Sequence, residues 1–111
     1  MKLSTKIAVP NEKGFSFIDQ ASILYGLANG HHTKLHFENG RQVETTKNLK
    51  EVMSLLSEDL FVRVHHSHFI GLQHLVSYTN EGQCKAEMSD GAWLNVSRSR
   101  RRDLMERFVK M

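Results

Sequence analysis

The stretch "FVRVHHSHFIGLQHL", residues 61–75, begins with alternating apolar and polar side chains and then runs into three closely spaced histidines. Alternation with a period of two is typical of a β-strand, because successive side chains of a strand point to opposite faces of the sheet. The pattern places Phe61 and His65 on one face and the two valines between them on the other. We therefore predict that His65 ends a strand, that His66 lies in the loop that follows, and that His68 packs against the protein.

Short segments of the same kind, separated by turn signals such as "ENGR" and "SDG", fill most of the chain. The predicted strands are residues 6–10, 15–19, 22–28, 33–37, 41–46, 60–65, 75–80, 84–88 and 92–96. The Asn-Gly pair of "ENGR" is a strong hairpin signal and joins two of these segments. Strands at this spacing predict a largely antiparallel sandwich or barrel rather than a parallel α/β sheet.

The clearest helix signal is "NLKEVMSLLS", residues 48–57. Its apolar residues recur at the spacing of one helical face, and they are Leu49, Val52, Met53 and Leu56. Asn48 can cap the N-terminus, and Glu51 is in position to complete a capping box. A second, short amphipathic helix is expected near the C-terminus, with Ser97 or Ser99 as its N-cap.

The positive charge of the chain is concentrated near its C-terminus. The formal net charge is only +3, but "SRSRRR", residues 97–102, holds four arginines. Such a cluster beside dispersed acidic residues is the electrostatic footprint of a polyanion-binding face. The same run also suits the solvated start of a helix, so the cluster alone does not decide between the two interpretations.

Size and composition exclude several classes of protein. The 111 residues fit one domain, and no apolar run approaches the roughly 20 residues of a membrane helix. Cys84 is the only cysteine, so no internal disulfide is possible. We therefore expect a cytoplasmic protein, or the cytoplasmic part of a longer one, that makes no contact with a membrane.

The histidines permit two kinds of site other than a binding surface. In an extended strand His66 and His68 point to the same face, which makes a zinc half-site. A histidine of another hairpin could complete it, and the candidates are His31, His32 and His36. Few carboxylates lie nearby in the sequence to assist such a metal. Alternatively, His32 and His66 could act as an acid and base pair that cleaves RNA, with an arginine stabilising the phosphorane.

A recognition surface accounts for more of the polar residues. Those that fall where strands meet loops are His31, His32, His66 and Arg98. Loops on a rigid β scaffold often carry binding groups, imidazole can donate to phosphates or base edges, and arginine can bind guanine through two hydrogen bonds. The other histidines and the tryptophan are expected to pack in the protein, namely His36, His74 and Trp93.

The chain resembles the LytTR-type DNA-binding domain, the output domain of bacterial response regulators of the LytR/AgrA kind. The resemblance runs from Lys6 to Phe108, and its most specific parts are "FVRVHHSHFIGLQHL" and "MSDGAWLNVSR". It implies an elongated, mostly β fold: an antiparallel sheet or sandwich of about nine or ten short strands, with a small helix and a short C-terminal helix. Residues 6–111 would then form a single domain, and residues 1–5 the end of a linker.

The resemblance also implies which residues contact DNA. Base contacts are expected from His32 after the "ANG" turn, from His66, and from Arg98 in "VSR". Contacts to the DNA backbone are expected from Lys47, Asn48, His65, Ser67, Arg100 and Arg101. Neither a catalytic residue nor a metal or cofactor is implied, so the protein is not expected to be an enzyme.

The partner implied by the resemblance is double-stranded promoter DNA that carries repeats. A dimer or a tandem pair would bind it through loops that enter successive major grooves. A receiver domain in a longer chain and a cognate sensor kinase are further partners expected of such a regulator. The alternative is a protein-interaction module that antagonises a related activator.

This sequence departs from the usual pattern of the family at three positions. His66 stands where the family often has arginine, lysine or asparagine, and His68 where it often has tyrosine or phenylalanine. Gly71 takes a position that is often asparagine. Because histidine has a shorter reach than arginine, the base preference is expected to differ.

Overall fold

The described chain, residues 5–111 of the computed structural model, is built mostly of β-strands and is elongated, with extents of 47 × 29 × 24 Å. Its strands are β1 (Lys6–Asn11), β2 (Gly14–Asp19), β3 (Ile23–Asn29), β4 (His32–Phe37), β5 (Gln42–Thr45), β6 (Phe61–His65), β7 (His68–Gly71), β8 (Leu75–Thr79), β9 (Lys85–Met88) and β10 (Trp93–Asn95). Its helices are α1 (Leu49–Leu55) and α2 (Arg101–Met105), with 3₁₀ turns at Gln20–Ser22, Leu72–His74 and Arg98–Arg100. The linker predicted for residues 1–5 lies outside the described residues except for Thr5.

A five-stranded antiparallel sheet, in the order β5-β4-β3-β7-β6, forms the centre of the molecule. Tight turns join the strands of its hairpins. Gly30 and His31 connect β3 to β4, and Gly30 has a φ of 61°, which glycine adopts without a Cβ clash. His66 and Ser67 connect β6 to β7. Both turns therefore leave histidines at the same end of the sheet.

One face of this central sheet is covered by a three-stranded antiparallel sheet, β8-β9-β10, and by α2. The side chains buried between them are Leu24, Tyr25, Val62, Val64, Ile70, Cys84, Ala86, Met88, Val96 and Leu104. Val62 and Val64 lie on this side of β6, as the alternation in the sequence predicts. Burial of such side chains contributes roughly 1.5–3 kcal/mol each, so this layer anchors β10 and α2 to the sheet.

The opposite face of the central sheet is covered by α1 and the β1–β2 hairpin. The buried side chains here are Ile23, Leu35, Phe37, Leu49, Val52, Leu56, Phe61 and Phe69, with Ile7 and Ile18 of the hairpin packed against them. The rings of Phe61 and Phe69 meet edge to face, with centroids 5.6 Å apart. A Cβ on Gly26 of β3 would lie 2.2 Å from the Phe69 ring, so glycine is required where β3 passes β7. The fold is thus the predicted antiparallel sandwich, with a core on each face of one sheet.

The capping box predicted for α1 is confirmed. The Asn48 side chain accepts a hydrogen bond from the Glu51 amide at 2.9 Å, and the Glu51 carboxylate accepts one from the Asn48 amide at 3.1 Å. The helix buries Leu49 and Val52 against the central sheet, as its apolar stripe predicts. No helix within residues 5–111 is long and apolar enough to cross a membrane.

The N-cap predicted for the C-terminal helix is wrong. α2 begins at Arg101 with Arg100 in the N-cap position, and no side chain caps it. Ser97 instead precedes a 3₁₀ turn that contains Ser99, and no side chain caps that turn either. Ser97 is held in extended backbone because its amide donates to the carbonyl of Val64 at 2.8 Å, which postpones the helix.

The prediction that Trp93 is buried is also wrong, since 48% of its surface is exposed. Trp93 lies opposite Glu87 on the outer side of the three-stranded sheet. Because side chains alternate along a strand, the next residue, Leu94, takes the inward position and packs on the core.

The nine predicted strands omitted β7, the strand that pairs with both β3 and β6. All of its residues are buried, so it has no alternation by which to recognise it. His68 begins this strand and is only 8% exposed, as expected for a packed residue. His36, which stacks on Tyr25 at 4.6 Å, and His74, whose Nε2 lies 2.5 Å from the carbonyl oxygen of Ala21, pack as predicted.

Candidate nucleic-acid interface

Most of the predicted contact residues lie at one end of the central sheet, which we call the loop end. It comprises the β3–β4 turn, the β5–α1 connection, the β6–β7 turn and the segment from β10 to α2, which are residues 29–32, 46–48, 65–68 and 95–101. Antiparallel pairing of β3 with β7, in which Leu27 faces His68, brings the two turns together. The Ala28 amide then donates to the Ser67 carbonyl at 2.7 Å, which ties one turn to the other.

The β6–β7 turn is braced by Arg63, whose side chain reaches the carbonyl oxygens of the turn. Its Nε donates to the carbonyl of His65 at 2.8 Å, and a terminal nitrogen donates to that of His66 at 2.7 Å. Hydrogen bonds from a charged donor are roughly twice as strong as neutral ones. Burial, together with the charge of nearby Arg100, lowers the pKa of Arg63. The guanidinium thus fixes the backbone from which the His66 side chain projects.

Three imidazoles of this hairpin pack in a row, with His65 between His66 and His68, and we call them the histidine column. The ring centroids of His65 and His66 are 4.3 Å apart with an interplanar angle of 32°, and those of His65 and His68 are 4.6 Å apart at 7°. His66 is exposed at the outer end of the column, and His68 is buried at the inner end. The sequence motif is therefore one stack with a single exposed ring.

Hydrogen bonds indicate which ring nitrogen carries a hydrogen in His65 and in His68. The Ser67 amide donates to Nδ1 of His65 at 3.1 Å, so this nitrogen carries a lone pair. Nε2 of His68 lies 2.6 Å from the carbonyl oxygen of Asn95, which can only accept, so this nitrogen carries a hydrogen. Burial is the main cause that lowers the pKa of both rings, and nearby positive groups lower it further. Both rings are therefore neutral at pH 7.

The segment that follows β10 packs on the same turn. Asn95 receives the hydrogen bond from His68, and the Ser97 amide donates to the carbonyl of Val64 in β6 at 2.8 Å. Arg98 comes next in the chain, and its side chain is exposed. Two of the predicted base-contacting residues thus project from elements that are joined by hydrogen bonds.

A groove of about 240 Å³ brings together three of the predicted contact residues, His65, Arg98 and Arg101. The β8–β9 connection lines its other side. Nε of Arg101 donates to the Tyr78 hydroxyl at 3.2 Å, and this bond is the main cause that raises the pKa of Arg101. Two arginines of the "SRSRRR" run therefore face one concave, positively charged surface.

Arg100 lies on a different surface from Arg98 and Arg101. It lines a second groove, of about 430 Å³, between α1, β6 and α2. The other charged side chains that line this groove are Glu58, Arg63, Asp103, Glu106 and Arg107. Because this groove carries both signs of charge, it is less suited to a polyanion than the first, and the contact of Arg100 with DNA stays a prediction.

The remaining predicted residues lie on the β4 side of the loop end. His32 is the first residue of β4 and is exposed. Lys47 is exposed as well, and its carbonyl accepts hydrogen bonds from the hydroxyls of Thr33 at 2.9 Å and Thr45 at 3.1 Å, which hold the connection in place. The side-chain oxygen of Asn48 is engaged in the capping box, so only its amide group remains to donate to a phosphate.

Sequence reasoning missed two residues that shape this site, Arg63 and Asn95. A charged side chain on the same strand face as the apolar Phe61 was a signal that Arg63 has a hydrogen-bond partner within the fold. Asn95 gave no signal, because its backbone oxygen accepts from a histidine 27 residues away, whatever side chain it carries. A zinc site was only an alternative interpretation of the histidines, and within residues 5–111 no group of three or more histidine, cysteine or acidic side chains is arranged to hold a metal.

Comparison with known proteins agrees with this architecture. Residues 13–109 match the sequence model of the family described as the LytTr DNA-binding domain. The fold is similar to the LytTr DNA-binding domain of a methyl-accepting/DNA response regulator from Bacillus cereus, with a TM-score of 0.79 and 19% identity over 94% of this chain and 96% of that chain. No curated protein matches the sequence significantly. The chain belongs to the LytTR family of DNA-binding domains.

Proposed function

We propose that this domain binds double-stranded DNA sequence-specifically, as part of a bacterial transcription regulator in the cytoplasm, and catalyses no reaction. Its family supports DNA binding. The observation that carries sequence-specific recognition is the joining of the β6–β7 turn, which presents His66, to the β10–α2 segment, which presents Arg98. Side chains held in fixed relation by a rigid scaffold can match the donor and acceptor pattern of base edges in the major groove.

The β6–β7 turn lies between the other two elements of the proposed contact surface. It is bonded to Ala28 of β3 on one side and to Asn95 of β10 on the other. His32 and Arg98 are therefore the outer residues, and His66 is the middle one. We propose that the loops bearing the outer residues enter successive major grooves, where arginine can bind guanine through O6 and N7 and imidazole can donate to a single base acceptor.

Contacts to phosphates would fix the position of the domain on the duplex without reading its sequence. Since Nδ1 of His65 is occupied by the Ser67 amide, only its Nε2 hydrogen is available for such a contact. Arg101 lies in the same groove as His65 and Arg98 and supplies a charged donor. The other residues proposed for phosphate contacts are Lys47, Asn48, Ser67 and Arg100.

The proposed biological setting is a two-component regulator. The Bacillus cereus protein of similar fold is described as a response regulator, which supports the same setting for this chain. We propose that residues 6–111 act as the output domain, that a receiver domain and a cognate sensor kinase control it, and that a dimer or tandem pair binds promoter repeats. The linker interpretation of residues 1–5 belongs to this proposal.

Selection from a random duplex pool, followed by mobility-shift titration of the recovered duplex, tests the proposed function. Arg98→Ala is expected to weaken binding by about 1–3 kcal/mol and to relax the preference at one base pair. Arg41→Ala is the matched control, because Arg41 is an exposed arginine in the β4–β5 turn at the opposite end of the sheet. It is expected to leave the affinity unchanged.

Two outcomes would contradict DNA recognition by the loop end. One is an equal loss of affinity in both arginine variants, and the other is a selection that recovers no preferred duplex. The alternative, a protein-interaction module that antagonises a related activator, predicts a stable complex with such an activator and no retarded DNA band.

A further inference from the structure

We propose that His65 and His68 are positioning residues that make His66 and Arg98 contact DNA as one coupled unit instead of two independent contacts. The inference rests on the proposed function and states how its two central residues are held. It arises from the histidine column, which begins at the exposed ring of His66 and ends at the segment that carries Arg98.

The outer end of the column fixes His66 in two ways. Its carbonyl oxygen is held by the Arg63 guanidinium at 2.7 Å, which restrains the backbone. Its imidazole packs on the ring of His65 with centroids 4.3 Å apart, which restrains the side chain. An exposed ring supported on one face loses less conformational freedom on binding than a free one.

The middle ring, His65, cannot change its orientation without losing contacts on several sides. It packs between His66 and His68, and its ring is nearly parallel to that of His68, with an interplanar angle of 7°. Its Nδ1 also accepts the hydrogen bond of the Ser67 amide. A movement of the His66 ring or of the His68 ring is therefore transmitted to the other ring through His65.

The inner ring, His68, connects the column to the arginine segment. Its Nε2 donates to the Asn95 carbonyl at 2.6 Å, and Asn95 precedes Arg98 by three residues. The bond from the Ser97 amide to Val64 holds the same segment against β6. Because these bonds flank Arg98 on its N-terminal side, the backbone of Arg98 and the inner ring of the column keep a fixed relation.

His68 performs both tasks with one ring, which stacks on His65 and donates to the Asn95 carbonyl. Phenylalanine could stack on His65 but has no hydrogen to donate to Asn95. Glutamine could donate to Asn95 but has no ring to stack.

A double-mutant cycle between His66→Ala and Arg98→Ala measures the coupling. Dissociation constants are determined for the duplex recovered by selection with the intact chain, and for a scrambled duplex of the same composition. For the selected duplex, the effects of the two substitutions are expected to depart from simple multiplication by about fivefold, within the range measured for residues that share a network.

The same cycle is then repeated in variants of the column. In His68→Phe, which retains stacking, and in His68→Gln, which retains a donor, the departure is expected to fall below about twofold. Affinity for the scrambled duplex should change much less than affinity for the selected duplex, because the charged side chains proposed for phosphate contacts, Arg101 and Lys47, lie outside the column. His74→Phe is the matched control, since Nε2 of this partly buried histidine also lies 2.5 Å from a backbone carbonyl oxygen, that of Ala21, outside the loop end. The coupling should survive there.

The outcomes separate the inference from the proposed function. Failure to recover any preferred duplex contradicts the proposed function. Selective binding in which the two substitutions multiply simply, or in which the coupling persists in His68→Phe, overturns the inference and leaves the proposed function standing. If His68→Phe does not fold, His65→Leu interrupts the stack at a less buried ring, and persistence of the coupling in that variant overturns the inference in the same way.

Discussion

The β3–β4 and β6–β7 turns lie side by side at the loop end and each contain two residues, yet they are held in different ways. The β6–β7 turn is braced by the Arg63 guanidinium, by the bond from the Ser67 amide to His65, and by stacked rings. The β3–β4 turn depends on the left-handed backbone of Gly30 and on a bond from the Asn29 side-chain amide to the Glu44 carboxylate.

For the proposed DNA contacts, we expect this difference to give the two turns different roles. His66 is presented on a fixed support, and such preorganisation reduces the entropy lost on binding and favours discrimination between bases. His32 stands on an exposed turn and keeps more freedom to adapt its rotamer to the groove. We expect base specificity to depend more on the β6–β7 turn, called the braced turn below, than on the β3–β4 turn, called the open turn.

Removal of the brace has the largest expected effect. Arg63→Ala leaves the carbonyls of His65 and His66 without their charged donor, and the free energy of unfolding should fall by about 2 kcal/mol. Urea denaturation measures this loss. Arg41→Ala, which removes an exposed arginine, is expected to stay within about 0.5 kcal/mol of the parent protein. Equal stability of the two variants would show that the brace does not hold the turn.

The open turn is sensitive to substitution at Gly30, because this residue has a positive φ. Gly30→Ala introduces a Cβ at a φ of 61°, and the strain should lower the free energy of unfolding by about 1 kcal/mol. His31→Ala in the same turn is the control, because its φ is not positive and its side chain is exposed. Urea denaturation measures both variants. If Gly30→Ala and His31→Ala had the same free energy of unfolding, the turn would tolerate the new Cβ by shifting its backbone.

The braced turn should also respond to acid. The lowered pKa values of His65 and His68 mean that these rings bind protons less readily in the folded chain than in the unfolded one. Their contribution to stability is therefore complete above the ordinary imidazole pKa of about 6.5 and decreases as pH falls through the lowered values. Burial lowers the pKa of His36 as well, which adds to the same trend.

Thermal unfolding between pH 7.5 and 5 measures this dependence above the range in which most carboxylates titrate. The melting temperature of the parent protein should fall with pH, and His68→Phe should fall less steeply because one of the responsible rings is gone. A parallel decrease in both proteins would mean that the column does not contribute to the pH dependence.

The smallest expected effect concerns a phosphate contact beside the braced turn. Arg101→Ala should weaken binding to selected and scrambled duplexes alike and should reduce the slope of affinity against salt by about 1. Titrations at several salt concentrations measure both. Tyr78→Phe removes only the hydroxyl bonded to Arg101 and serves as the control, with the salt slope retained. A sequence-dependent loss in Arg101→Ala would instead indicate a base contact.

Local patterns in the sequence predicted much of the fold. The alternation of β6 assigned its two valines to one core, and the spacing of Asn48 and Glu51 predicted a capping box that forms. Strand β7 was missed because a strand buried on both faces has no alternation. The position of Trp93 depends on which face of β10 meets the core, and the sequence of one strand does not determine that.

The arrangement of the candidate site was less accessible from sequence. Alternation separated the exposed His66 from its neighbours, but the stacking of the rings requires a tight turn and the pairing of His65 with His68. The bond from His68 to Asn95 joins residues of different sheets through a backbone oxygen, so no residue type signals it. Side-chain chemistry can be inferred from sequence, whereas contacts to backbone atoms require the fold.

The most direct test of the loop end as the DNA-binding surface is an amide chemical-shift titration of the intact chain with the selected duplex. We predict that the largest shifts occur at residues 29–32, 65–68 and 95–101 and that the β4–β5 turn at 38–41 stays unperturbed. A scrambled duplex should give smaller shifts at 65–68. Shifts centred on the β4–β5 turn or on the β1–β2 hairpin, or the same shifts with both duplexes, would contradict this prediction.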